Sequence, residues 1–351
     1  PVGSGPFRFV RRESTGEWVF DANPSFPAAL GGRPHLDRLV YRAIPDQTAV
    51  ITALLSEQID LAVSVRPTNV KSLAQDTSVH LVEYPSPNWI FVALNTRTRF
   101  FDSRDERRAI SMAVDRRAIV DGIMGGRNPL GRGTVTPVHF AFDTTAASLR
   151  VPFAPDSART LLARAGWADH NGDGVIEDAN GKPFRIRLKA WQSSGAYTDI
   201  VQAMQAQLAA VGIAAEPDVV ELNTFTQQMQ GKINADGTRT RDFDAALGNW
   251  TDNMRKDDSQ LFHSRWKDGA RFWTGYGSPR LDTVLDSLAV TTDATASKRL
   301  WTEYQNMVVE DAPILVLYYT VGIVAARNRL HGVTGDARGP AANVQLWWVG
   351  Q

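Results

Sequence analysis

The sequence predicts an α/β fold of two lobes, with mixed sheets flanked by helices. Three observations carry that expectation. At 351 residues the chain is longer than one hydrophobic core usually serves. Strand-patterned and helix-patterned segments alternate along its length, as α/β layering requires. Residues 88–126 join an apolar strand to a capped helix across a short polar break, as a chain does when it leaves one body and enters another.

The elements follow in order. Gly3-Ser4-Gly5-Pro6 is a turn, and residues 7–11 and 18–22 read as paired strands around Ser14-Thr15-Gly16. Asn23-Pro24 ends the second strand, Gly31-Gly32-Arg33-Pro34 is a loop, and residues 39–44 alternate as a strand. Helical spacing of Val50, Ile51, Leu54 and Leu55 marks 48–56, and 59–62 is a short buried strand. A helix over 70–75, opened by Pro67-Thr68-Asn69, precedes a strand over 79–84. Trp89, Ile90, Phe91 and Val92 form an apolar strand run that breaks at Asn95-Thr96. Ser103 with Glu106 three residues on is a capping box, and Ile110, Ala113 and Val114 stripe the helix it starts. Asp115 caps a second short helix that Gly125-Gly126 ends.

A loop rich in Gly, Pro and Thr spans 127–155, and Asp156 caps a helix that stops at Gly166. Residues 184–191 alternate as a strand, 197–211 form an amphipathic helix closed by Gly212, and 213–220 are a strand behind it. Then come a helical 225–229, a polar loop over 234–241 and a strand over 243–250. Helices over 281–288 and 296–310 and strands over 314–320, 321–326 and 345–349 complete the chain.

Composition excludes several functions. Lys plus Arg and Asp plus Glu each number 38, so no global field draws the chain to nucleic acid or to an anionic membrane. Apolar residues make up 43% and charged residues 22%, ordinary for a globular chain, and no apolar run approaches the roughly 20 residues of a spanning helix. With no cysteine, disulfides, thiol catalysis and Cys-ligated zinc are absent. The six histidines are scattered, and there is no HExxH, nucleophile elbow, Walker loop or dinucleotide fingerprint. A pair of carboxylates brought together by folding, as in a glycoside hydrolase, is beyond what spacing can test.

Asn95, Phe101-Asp102, Arg104, Arg107-Arg108-Ala109-Ile110 and Ala113-Val114-Asp115-Arg116 resemble the signature of the family 5 extracellular solute-binding proteins. These are the receptors of dipeptide, oligopeptide and nickel ABC importers. The same order of fragments holds upstream, in Gly3-x-Gly5-Pro6-Phe7, Asn23-Pro24, Gly32-x-Pro34-x-Leu36-Asp37, Ile44-Pro45-Asp46 and Ile59-Asp60-Leu61. It holds downstream in the Leu161-to-Trp167 element and in Tyr276 and Pro279, which read as structural. The resemblance implies a two-lobed periplasmic-binding-protein-like fold of type II with its first lobe incomplete. Residues 1–95 would belong to that lobe, 96–317 to the second, and 318–351 to the return, the chain crossing back near Pro313 to Thr320. It implies a monomeric receptor, periplasmic or extracellular and lipid-anchored through a missing N-terminal segment. Such a receptor closes over a peptide or other small solute in an interlobe cleft and delivers it to an ABC permease, with no bond made or broken and no cofactor. A secreted hydrolase and a sensor or chaperone-like binding module are the alternatives.

Two segments carry the expected ligand contacts. Trp250-Thr251-Asp252-Asn253 resembles the place where the family's peptide receptors set a Trp against the cleft and an Asp against the ligand's α-amino group. A desolvated carboxylate at a strand end discriminates in favour of a cation. This chain departs from the pattern, with one residue fewer between Trp and Asp and with Met254-Arg255-Lys256 in place of a Gly/Pro turn. Near Trp191 the dipeptide receptors place an arginine for the ligand carboxylate, and Gln192-Ser193-Ser194-Gly195 offers none. Trp191, Asn88 and Trp89 are further candidates for the ligand site, with core packing the competing role for both tryptophans. Asp169, Asn171 and Asp173 follow the calcium-loop order around Gly174, although Asn180 stands where a bidentate glutamate belongs; a self-capped turn accounts for the same residues.

Overall fold

The computed structural model describes residues 3–14, 16–143, 151–192, 196–252 and 255–350. The chain divides into two compact units, Pro1–Ser86 with Val321–Gln351, and Pro87–Thr320.

In the first unit β1 (Phe7–Arg12), β2 (Glu17–Ala22) and β3 (Arg38–Arg42) form an antiparallel sheet, with Phe9 opposite Phe20 and Val19 opposite Val40. Helix α1 (Gln47–Leu55) starts at Asp46, whose carboxylate accepts the Ala49 amide at 2.8 Å. Strand β4 (Leu61–Ala62) and α2 (Pro67–Leu73) follow, the latter beginning on a proline whose missing amide costs nothing in a first turn.

Strand β5 (Val79–Leu94) runs from the first unit into the second. The sequence divides it into two strands, because Pro85 and Pro87 remove ladder donors and look like a break. Extended backbone suits their fixed φ, and the strand continues through them. The passage between units therefore falls inside a strand, at residue 86, whereas the polar break at Asn95 marks only the strand's far end.

The second unit continues with α3 (Arg104–Ala113), α4 (Arg116–Gly122), α5 (Pro155–Arg164), β6 (Arg185–Trp191), α6 (Ala196–Ala209), β7 (Ala214–Val220) and α7 (Leu222–Gln230). Helix α5 begins on Pro155 after Ala154, so Asp156 sits in the first turn and is not the cap. The expected polar loop over 234–241 holds a short hairpin of β8 (Lys232–Ile233) and β9 (Arg239–Thr240). After β10 (Ala245–Thr251) come α8 (Ser259–Phe262), α9 (Pro279–Val290) and α10 (Ala294–Asp311). A single strand, β11 (Ile314–Arg327), then returns to the first unit, where the sequence suggests two. There β12 (Leu330–His331) pairs with β13 (Trp348–Val349); the expected strand over 345–349 is half 3₁₀ turn, with Trp347 buried and Trp348 exposed.

Strand β10 pairs antiparallel with β5, from Ala245 opposite Leu94 to Thr251 opposite Asn88, and parallel with β6, which is parallel to β7. The uninterrupted apolar run of β5 is explained by burial on both faces. Ile90, Val92 and Leu94 enter one core with α3, α4, α5 and α6, while Trp89, Phe91 and Ala93 enter a second beneath α9 and α10. Gly248 faces Phe91, whose ring would lie only 3.0 Å from a β-carbon there, so the glycine makes room for that ring.

The capping box of α3 forms as the sequence predicts: Ser103 accepts the Asp105 amide and Glu106 accepts the Ser103 amide. Glu106 is buried and also accepts Trp167 Nε1 at 2.6 Å, and burial outweighs these bonds, pushing its pKa up to about 7. The folded chain therefore holds this proton more tightly than the unfolded chain does. Its contribution to stability is lost as pH rises from the ordinary 4.5 through about 7. Urea unfolding at pH 5 and pH 8 tests this: Glu106→Gln is expected to destabilise less at pH 8 than at pH 5, and an equal cost at both would contradict it.

Candidate functional site

The end of β10 and the loops against it bring together several of the residues singled out from the sequence. Trp89 and Trp250 are directly opposed across the β5–β10 ladder, and Asn88 opposes Thr251. The ladder extends one residue further, because the Asp252 amide donates to Pro87 O at 3.0 Å. Asn253 lies outside the described residues.

Asp252 does not present its carboxylate outward. It is 8% exposed; Oδ1 receives Lys256 Nζ at 2.7 Å and Trp89 Nε1 at 3.3 Å, and Oδ2 receives Thr136 Oγ1 at 3.2 Å. Lys256 Nζ also donates to Asp258 Oδ1 at 3.0 Å, and Asp258 Oδ2 accepts the Tyr304 hydroxyl at 2.7 Å. The ammonium lies 5.7 Å from the ring centres of both Trp89 and Trp301. Trp89 has no exposed surface. Asp252, expected to meet a ligand amine, and Trp89, expected to line a cleft or pack in the core, here belong to an internal ion triad packed under aromatic rings.

The energetics of the triad follow from its enclosure. Burial raises the Asp252 pKa against the opposing pull of Lys256. Burial also works against the Lys256 charge, but Asp258 and Asp252 outweigh it and hold the ammonium above its ordinary value. His139, edge-on to Trp301 at 5.2 Å, is pushed down to about 4 by burial and then by Lys256, so it adds no second cation at neutral pH.

The loop carrying Thr136 is positioned by Tyr319, whose hydroxyl donates to Gly133 O at 2.9 Å and accepts the amides of Arg132 and Gly133, each at 3.2 Å. Gly131 passes so near β11 that a β-carbon there would lie 2.3 Å from Val316 O, so only glycine fits.

Across the ladder from Trp89, Trp250 is half-buried, with Trp273 edge-on at 5.8 Å and the Arg271 guanidinium 5.3 Å from its ring centre. Trp191 is held apart from this group. It packs against Tyr197 at 4.4 Å and Phe225 at 4.9 Å, in a satellite core with Met229, Phe243 and Ala246 that Trp273 also borders. A cavity of about 360 Å³ lies elsewhere, between α3 and α10, lined by Arg108, Ser111, Asn306 and Glu310 and by no aromatic ring.

The calcium-like loop is folded on itself. Asp169 accepts the amides of Gly172 at 2.7 Å and Gly174 at 3.0 Å, Asn171 Oδ1 that of Asp173, and Asp173 Oδ1 that of Val175, the last two at 2.8 Å. Glu177, at loop position nine, is buried and brings a third carboxylate within 4.8 Å of Asp169 and Asp173. Asp169, Asp173 and Glu177 are therefore the residues here that could hold a hard cation, with oxygen donors of the kind calcium takes. Sequence reasoning sought the glutamate at position twelve and passed over position nine.

Lys256, Asp258, Thr136, Tyr304 and Arg271 were likewise missed. The Asp252-x-x-x-Lys256-x-Asp258 spacing is a local signal. Thr136 and Tyr304 reach the triad from 116 residues before Asp252 and 46 residues after Asp258, and no spacing announces them. Lys256→Met would leave two buried carboxylates without their cation and should cost about 3–5 kcal/mol at pH 7 by urea unfolding. The loss should shrink as pH falls, because burial raises the Asp252 pKa and protonation then relieves its charge; a loss under roughly 1 kcal/mol would show the triad to be incidental.

The profile of the bacterial extracellular solute-binding proteins, family 5 (middle region), matches residues 1–271. The oligopeptide-binding protein AppA of Bacillus subtilis is 26% identical over 350 residues, 99% of this chain and 62% of that protein. The structure of AppA in complex with a nonapeptide superposes with a TM-score of 0.79 at 25% identity, covering 100% of this chain and 67% of that one. NikA from Brucella suis, in complex with Fe(III)-EDTA, superposes at 0.84 with 20% identity, over 99% and 68% of the two chains. The chain spans about three fifths of the length of the curated relatives it matches.

Proposed function

As this chain belongs to the bacterial extracellular solute-binding proteins of family 5, we propose that its protein is an extracytoplasmic receptor that captures a peptide or similar small solute and hands it to an ABC importer. The observation that carries the reading is the family match over 271 residues, which spans all of β1 to β10. The oligopeptide-binding name of AppA and the peptide in its structure support a peptide or peptide-like solute. In this reading the receptor is monomeric and the permease is its partner; among the described residues no helix is long and apolar enough to cross a membrane.

The geometry supports capture without chemistry. The buried ammonium is held charged between two carboxylates, so it is not available as a base, and His139 accepts the Ala141 amide and packs against Trp301. The solute-facing group in this reading is Trp250, half-buried at the end of β10 with its backbone fixed by the ladder and its ring edged by Trp273. A rigid aromatic plane gives contact area with little entropy to lose.

Fluorescence titration of the full-length protein with peptides tests this. Solute should shift the tryptophan emission, and Trp250→Ala should lose most of that response and bind at least roughly tenfold more weakly. Binding equal to the parent would remove Trp250 from the site.

A further inference from the structure

The exposed charge beside Trp250 is positive. Arg271 is exposed, lies over the Trp250 ring, and spends one donor on Gln260 Oε1 at 3.2 Å. Among the described residues it has no carboxylate partner. The acids of the neighbouring segment are engaged: Asp252 and Asp258 hold Lys256, and Asp257 accepts the Ser259 amide at 2.9 Å. Trp273 lies edge-on to Trp250, its enclosed Nε1–H without an acceptor among the described residues. The wall thus offers an aromatic plane and a guanidinium with unspent donors, while the strand-end carboxylate of Asp252 is turned inward onto Lys256.

That set complements an acceptor that is itself charged. A guanidinium laid on an indole keeps its N–H groups in a plane directed past the ring edge, where a carboxylate can take two of them at once. The carboxylate that would receive an ammonium at the strand end, Asp252, is buried and bonded to Lys256. We propose that Arg271 is a specificity-determining residue, and that the solute is bound through a carboxylate held by Arg271 while its adjoining body stacks on Trp250. This rests on the reading that Trp250 faces the solute. The carboxylate is either a peptide C-terminus or that of a small organic acid.

Calorimetric titration of the full-length protein separates the possibilities. The probes are a tetrapeptide library with free C-termini, the same library amidated, a panel of aromatic and aliphatic monocarboxylates, and their amides. The parent should prefer carboxylate over amide by at least about tenfold in one of the two pairs, and that pair identifies the source. Arg271→Gln, at an exposed position, should abolish the preference by weakening carboxylate binding more than amide binding, and Arg271→Lys should restore only part of it. Trp250→Ala should weaken both members of the pair. If Trp250→Ala weakens binding and Arg271→Gln leaves the preference intact, the carboxylate assignment fails and the Trp250 reading stands. If neither substitution matters, the Trp250 reading fails and takes the assignment with it. A parent that binds carboxylates and amides alike, or none of the four sets, also overturns the assignment.

Discussion

The ammonium of Lys256, enclosed between the carboxylates of Asp252 and Asp258, is the constraint on which the candidate site depends. Through it five segments are fixed to one point: β5 by Trp89, the loop after α4 by Thr136, the end of β10 by Asp252, the entry to α8 by Asp258, and α10 by Tyr304 and Trp301. Two buried carboxylates share one ammonium, and hydroxyl and indole donors reach them from the surrounding elements. Such a group is a poor source of net stability compared with apolar packing, but it leaves little freedom in how its partners are arranged. Its consequence for function is that the strand end carrying Trp250 is held rigid while its own acid is withdrawn from solution.

Much of the fold was legible because the physics that forms it is local. The capping box of Ser103 and Glu106, the Asp115 cap and the glycines at 166 and 212 all satisfy backbone groups within a few residues, and each appears where the pattern places it. The continuous apolar run from Trp89 to Leu94 announced a strand buried on both faces. What the sequence concealed was continuity. Pro85 and Pro87 flank the unit boundary without ending β5, and β11 runs unbroken past residue 320, where the pattern reads two strands.

The site was legible only in outline. Trp250 and Asp252 were recognisable from their place at a strand end, and the fold brings Trp89 and Asn88 to the same ladder. The pairing that decides the role of Asp252 was not, since it depends on Lys256 turning inward. A lysine four residues from an aspartate in a polar stretch reads as a solvated charge. The contacts of Thr136 and Tyr304 are set by tertiary packing alone. Arg271 was passed over for the same reason: a cation on an aromatic face looks, in sequence, like any surface arginine.

A receptor of this family differs from the alternatives in what happens to the bound molecule, and native mass spectrometry of the full-length protein, incubated with a peptide library, observes that directly. The account predicts one mass increment per chain equal to an intact library member, recovered unchanged on denaturation. Recovery of cleaved or modified products, accumulating with time, would contradict it.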